Sequence, residues 1–298
     1  MKKVFCVISN YNDYPWIDRC LGSLRKSEYP IETIVVDDAS TDKSCEKISE
    51  SYPEVELIEC NKNIGYAIAN NIGIRRSMEL GADYIFLLNM DAWIEPDTLT
   101  VLIETAEKFP SYLILSPMHL NASDDGLDKR FSYYFDPKRC PGILSDTYLN
   151  TLNEVYQIEH VMSAAWLLRK ETVEQIGYLD ERYFVYGADD NYADRVNYEG
   201  RMIGIVPGSK IYHAKDERDE EELPVRKVYD IQKVRSIVTA MNPNLSILQK
   251  SMYLFRKSGS DIILNLLDRD FRHVLNNFGS LFYGSFMIMK YNRSYKKS

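Results

Sequence analysis

The 298-residue chain has no GxGxxG dinucleotide fingerprint and no GxxxxGK[ST] phosphate loop. Nicotinamide dehydrogenases and P-loop enzymes are therefore disfavoured. Its five cysteines (Cys6, Cys20, Cys45, Cys60 and Cys140) are scattered, odd in number and never spaced as CxxC. That argues against a zinc site and a disulfide frame, and for reduced thiols in a cytosolic compartment. The opening MKKVFCVISNYND has too short an apolar run for a signal peptide and no small-residue cleavage site, so it reads as a first strand. No internal repeat or low-complexity tract occurs. The apolar stretch Val274 to Met289 is too short, and too interrupted by Asn276, Asn277, Ser280 and Ser285, to span a bilayer.

Apolar content of 45% and charged content of 27% are those of an ordinary soluble globular chain, long enough for one large domain plus an extension. The net charge of −8 conceals a split. Residues 223–298 hold 13 Lys/Arg against 4 Asp/Glu, a charge of +9, which leaves −17 on residues 1–222. So acidic a body is unsuited to nucleic acid. The cationic C-terminal part suits an anionic surface or partner.

Strand and helix signals alternate. KVFCVIS (Lys3–Ser9) is a strand, followed by a helix from about Asp13 to Lys26 with Trp16, Ile17, Cys20, Leu21 and Leu24 on one face. ETIVVDD is a second strand, and a helix is expected to open near Ser40, Thr41 and Asp42, which are good N-cap types. VELIEC, a helix over Tyr66–Glu79, and the continuous apolar strand Tyr84–Leu88 come next. Pro96 suits the first turn of a helix with Leu99, Leu102, Ile103 and Ala106 inward, and YLILS is a fifth strand. This rhythm predicts a mostly parallel, doubly wound sheet. Residues 119–150 read as an irregular loop carrying the aromatic cluster FSYYF, and a second α/β part spans about 155–213. The run Asp216–Glu222 reads as a solvated hinge, with helices beyond it. The expected division is therefore a domain of residues 1–215 and a helical extension of residues 216–298 with a basic tail.

Polar residues sit where strands end. Asp37 and Asp38 close the second strand, where a carboxylate either caps the next helix or accepts hydrogen bonds from a ligand. Asn63, Gly65, Asn71 and Gly73 surround a helix start. Asn89 and Asp91 follow the Tyr84–Leu88 strand, and an acid there suits magnesium or manganese bridged to substrate phosphates. His213, at another strand end, is a second candidate ligand or a structural histidine. Asp189, Asp190 and Asp194 cluster at a helix start, where acids also simply favour the macrodipole. Trp166, in SAAWLLRK, is the aromatic taken as a candidate for stacking on a ligand, most others reading as packing residues.

In order, VISNYN, VVDDASTD, NxGxAxxxNxG, LLNMDAWIEPDTL, GYLDERYFVYGADDNYADRV and the histidine of IYH resemble the family 2 glycosyltransferases over residues 3 to about 213. Within that family the likeness is to the bacterial branch building cell-surface polysaccharides, with its rhamnosyltransferase-type enzymes. The resemblance implies a GT-A fold: a mixed, mostly parallel sheet flanked by helices. It implies an inverting, metal-dependent transfer from a UDP- or dTDP-sugar to a glycan or lipid-linked acceptor, in the cytoplasm or at the inner membrane face. By that resemblance Ser9, Tyr11 and Asp38 line the base pocket, and Asn63, Gly65, Asn71 and Asn89 belong to the donor site. Asp91 and His213 would ligate the metal, with Asp189 as the catalytic base. Ala188 and Asn191 depart from the family, which carries acids there, so a non-catalytic sugar-binding relative is the alternative. Asp190 is expected to restore charge but to point elsewhere on the helix. The C-terminal segment is expected either to lie on a membrane surface or to form a dimer contact.

Overall fold

A computed structural model describes residues 1–214, 225–267 and 271–291. The proposed hinge Asp216–Glu222 and the basic residues Arg293, Lys296 and Lys297 lie outside the described residues. In chain order the elements are β1 (Val4–Asn10), α1 (Ile17–Leu24), β2 (Glu32–Asp37), α2 (Ser44–Ser51), β3 (Glu56–Glu59), α3 (Tyr66–Glu79), β4 (Tyr84–Leu88) and β5 (Ala92–Ile94). They continue with α4 (Thr98–Lys108), β6 (Tyr112–Asn121), α5 (Ile143–Leu149), β7 (Tyr156–Ile158), β8 (Ala165–Arg169), α6 (Lys170–Ile176), α7 (Ala188–Tyr198) and β9 (Met202–His213). Three helices follow: α8 (Val225–Met241), α9 (Ile247–Leu267) and α10 (Phe271–Tyr291).

The strands form one mixed sheet in the order β3-β2-β1-β4-β8-β6-β9-β5, with β7 also on β9. Strands β3, β2, β1 and β4 are parallel. β8 is antiparallel to both β4 and β6. Two reversals restore the direction, so β6 and β9 run the same way as β1, and His213 reaches the edge where β1, β2 and β4 end. This is the α/β sheet with flanking helices that the sequence predicts.

Alternation within the apolar strands feeds two cores. Val4, Cys6 and Ile8 of β1 and Tyr84, Phe86 and Leu88 of β4 join the inward faces of α1 and α4. Phe5, Val7, Ile85 and Leu87 meet α3, α7 and the C-terminal helices on the opposite side. Both faces being covered explains why the strands read as unbroken apolar runs. Each fully buried aliphatic side chain contributes roughly 1.5–3 kcal/mol.

Three local expectations are corrected. The helix predicted from Asp13 begins as a 3-10 turn over Tyr14–Trp16 and becomes α-helical only at Ile17. The helix expected near Ser40–Asp42 opens at Ser44, because the intervening amides have other partners: Ser40 N–H donates to Asp37 (2.8 Å) and Thr41 N–H to Asn12 (2.7 Å). The supposed loop 119–150 contains the end of β6, a 3-10 turn over Phe131–Phe135 and α5.

Helix α3 is fastened to the segment leading into α7. Buried Asn71 donates to Leu179 O (2.9 Å) and Glu181 (3.2 Å) and accepts from Leu179 N–H (2.9 Å). Gly65 has φ +87°, and a Cβ there would lie 2.5 Å from Phe184 O, which accepts the Tyr66 N–H at 2.7 Å. Gly81 has a similar φ of +84° but open space around it. Gly81→Ala should therefore cost about 1 kcal/mol of backbone strain, and Gly65→Ala at least about 1 kcal/mol more from the clash. Urea denaturation measures both; equal losses would show that the approach of Phe184 does not constrain this position.

Candidate active site

The candidate site lies along the sheet edge where β1, β2, β4 and β9 end. Short strand β5 pairs antiparallel with β9, setting Ala92 opposite His213, and Ala214 N–H donates to Asp91 O at 2.9 Å. This register places Asp91 Oδ1 3.4 Å from His213 Nε2. The histidine is fully buried and Asp91 is 6% exposed. On the other side of the ring, Nδ1–H donates to Asp128 Oδ2 at 3.0 Å. Asp128 is itself held by the Arg130 and Phe131 N–H groups, each at 2.8 Å. Burial opposes charge on His213, but hydrogen bonds to Asp128 and Asp91 win and hold its pKa above the usual imidazole value. Burial also opposes charge on Asp128, and the His213 hydrogen bond keeps its pKa low nonetheless.

Neighbouring His119 behaves differently. It stacks on Phe131 and lies 3.1 Å from Ser116 Oγ, and burial, helped by His213, pushes its pKa down to about 3. It stays neutral.

The Asp91–His213 pair fits a divalent cation. Adjacent ligands of an octahedral cation lie about 3 Å apart, close to the 3.4 Å between Asp91 Oδ1 and the His213 Nε2 that faces it. The Asp128–His213 bond fixes the tautomer that exposes Nε2, the usual support behind a metal-binding imidazole. Asp128 was missed in the sequence, which offers no signal for it: it is an isolated acid in the 119–150 segment, 85 positions from its partner.

The other predicted residues divide into two groups. Asp38 is buried and accepts from Ile64 N–H (2.6 Å) and Gly65 N–H (2.9 Å), so it anchors the turn before α3. Ser9 is half-buried at the end of β1, and Tyr11 just beyond is 47% exposed. Asn63 Oδ1 is buried with no hydrogen-bond partner. Asn89 is half-buried and its backbone is spoken for, with N–H to Ala164 O and carbonyl to Ala92 N–H. Gly65 and Asn71, by contrast, have the packing duties described above. Trp166 is fully buried against Tyr192, which corrects its assignment as a sugar-stacking aromatic.

A second acidic group stands at the start of α7. Ligand atoms of His160, Asp189 and Asp190 all lie within 4.8 Å of one another. Asp190 therefore does not point away from Asp189, as helical spacing predicts. Asp189 Oδ1 folds back to accept the Asp190 N–H (3.0 Å), and His160 Nε2 draws Asp190 Oδ1 to 3.3 Å. Tyr134 supports the other face of His160 at 3.2 Å. Loss of hydration and the Asp189 charge raise the pKa of Asp190. One turn on, burial and then Asp190 push Asp194 up to about 7. Tyr66, whose hydroxyl lies 3.1 Å from Ser163 Oγ, has its pKa raised by burial and, less, by the charges of Asp189 and Asp91. Ala188 is buried, and Asn191 is buried with both amide atoms unpartnered.

The chain is 26% identical over 237 residues to the N-acetylglucosaminyl-diphospho-decaprenol L-rhamnosyltransferase of Mycobacterium tuberculosis, covering 70% of this chain and 75% of that one. It is 23% identical over 244 residues to the dTDP-rhamnosyl transferase RfbF of Shigella flexneri, covering 77% of each. Its fold matches the mannosyltransferase PcManGT from Pyrobaculum calidifontis, solved with GDP-Man and Mn2+, at a TM-score of 0.56 and 18% identity over 100% of this chain and 76% of that one. The sequence profile of Glycosyl transferase family 2 matches residues 5–177, so the chain belongs to the family 2 glycosyltransferases, on a branch similar to the rhamnosyltransferases.

Proposed function

We propose that the protein is an inverting, metal-dependent transferase that moves a hexosyl or deoxyhexosyl group from a nucleoside diphosphate sugar to a hydroxyl of a lipid-linked or glycan acceptor. Residues 1–215 form its transferase domain, and it works on the cytoplasmic side in cell-surface polysaccharide synthesis. The first donor to try is dTDP-rhamnose, with UDP-sugars next, because the two relatives carry rhamnosyl names and thymine and uracil present the same N–H and carbonyl edge. The observation that carries the reading is the buried Asp91–His213 pair, 3.4 Å apart, with Nε2 facing the carboxylate and Nδ1 fixed by Asp128.

Asp91 and His213 would hold magnesium or manganese, as the Mn2+ of the fold relative also supports. Bound there, a dication acts as a Lewis acid on the departing nucleoside diphosphate. Asp38 retains lone pairs beyond those given to Ile64 and Gly65, so it can accept from the base N–H while Ser9 and Tyr11 flank the ring. Asn63 and Asn89 offer further polar contacts to the donor, and the orphaned Asn63 oxygen suits a ligand N–H or O–H. Gly65 and Asn71 serve this pocket through the 179–184 segment they hold. Asp189 accepts the acceptor hydroxyl's proton as that oxygen attacks the anomeric carbon, with Asp190 held beside it by His160. One base facing the acceptor, and no carboxylate assigned to a covalent intermediate, gives single displacement with inversion.

Asp189→Asn should keep the fold and the donor affinity but lower kcat by at least about 100-fold, as loss of a positioned base does. Near-normal turnover would transfer the role to Asp190.

Metal binding should also depend on pH with a defined sign. The pKa of His213 is raised in the folded protein, so in chelator its contribution to stability is complete below the ordinary imidazole value of about 6.5 and is lost as pH rises through the raised value. A dication competes with that proton. The thermal shift produced by manganese should therefore grow as pH rises through the same window, and Asp128→Ala should weaken manganese binding about 10- to 100-fold. A manganese shift independent of pH, or untouched by Asp128→Ala, would remove His213 from the metal site.

A further inference from the structure

Helix α10 is buried on one side and apolar on the other. Asn277, Ser280, Met287 and Ile288 are buried, and Gly284 packs against Leu254 and Ser236. Opposite them, Leu275, Phe278, Phe282, Phe286 and Met289 recur at intervals of three, four, four and three residues, so they form one stripe along the helix. They are 71%, 44%, 74%, 52% and 75% exposed. Helix α9 repeats the arrangement. Lys250 and Leu254 are buried, while Leu248, Met252 and Phe255 face outward at intervals of four and three. Together the two helices leave eight large apolar side chains 44–75% exposed, and exposed apolar surface of this kind marks a protein or membrane contact.

What covers this surface is decided by charge. The chain from residue 223 onward carries +9, and that count includes Lys290, Arg293, Lys296 and Lys297, which follow the stripe. A second copy docked face to face through the stripe would bring two +9 segments together. An anionic bilayer offers the opposite charge and an apolar interior for the phenylalanines. The −17 body, repelled by the same headgroups, would be held outward. Among the described residues no helix is long and apolar enough to cross a membrane. At about 1.5 Å per residue, α10 runs roughly 31 Å, long enough to lie in the plane of the interface.

We propose that the outward faces of α9 and α10 form a membrane-surface anchor selective for anionic phospholipid, its phenylalanine stripe inserted at the headgroup boundary. This deepens the lipid-linked acceptor reading by supplying the surface in which such an acceptor would sit. Helix α8 bridges anchor and site: Val234 and Val238 press on Gly187, two residues before Asp189, and Lys233 Nζ lies 4.6 Å from the Tyr283 ring.

The test is co-sedimentation of the full chain with phosphatidylcholine vesicles with and without phosphatidylglycerol, with no donor or acceptor present. The wild type should pellet with the anionic vesicles, weaken as salt rises and ignore neutral ones. Phe282→Ser together with Phe286→Ser should lower the partition coefficient at least about ten-fold at unchanged thermal stability. A milder Phe282→Leu variant should retain most binding. Equal partitioning of wild type and double variant would overturn the proposal. So would a dimer in analytical ultracentrifugation that the double substitution disperses while neither protein binds vesicles. Because binding is read without turnover, an inactive protein that still binds upholds the anchor, and an active one that does not bind overturns only the anchor.

Discussion

A single buried imidazole organises the sheet edge where the proposed site lies. His213 sits at the end of β9 with no access to water, between Asp128 and Asp91. Burial alone would drive it neutral, as it does His119 nearby. Two carboxylates instead make a positive charge favourable at that point, whether the charge is a proton or a dication. The surrounding structure can be understood as what this arrangement requires. β8 reverses the sheet twice so that β9 ends where β1, β2 and β4 end, and β5 pairs back on β9 to bring Asp91 across. The 128–131 turn wraps the Asp128 carboxylate in backbone N–H groups, which fixes the imidazole from behind.

The proposed acceptor side is assembled from more distant pieces. The segment before α7 is held by Asn71 and the Gly65 turn on one side and by α8 against Gly187 on the other. Asn244, in the turn between α8 and α9, donates to Asp194 O at 2.8 Å, and Asn242 and buried Lys250 add interactions with the Asp194 side chain. The C-terminal helices therefore bear directly on the helix that carries Asp189.

Much of this was legible in the sequence because it is local. Helix α3 and strand β4 begin and end where the apolar pattern and flanking residues indicate, and the strand-end acids Asp38 and Asp91 do lie on one edge. What the sequence concealed is pairing at long range. Asp128 acquires its role only when β6 and β9 bring residues 85 positions apart together. Asp190 joins Asp189 because His160, thirty residues earlier, draws it there, overriding the helical spacing. Trp166 reads as a ligand contact from its position in sequence near the predicted acceptor residues; its strand runs between β4 and β6, covered on both faces, and burial removes it from any ligand. The delayed start of α2 has the same origin, since the amides that would have opened the helix bond instead to Asn12 and Asp37.

The claim on which the account rests is that Asp91 and His213, rather than the neighbouring His160–Asp189–Asp190 group, hold the catalytic metal. Crystals grown with manganese and a nucleoside diphosphate would decide it through the anomalous signal of the metal. The account predicts one strong peak within bonding distance of the Asp91 carboxylate and His213 Nε2, with the diphosphate against it and Asp128 still on Nδ1. A peak among His160, Asp189 and Asp190, with none between Asp91 and His213, would contradict it.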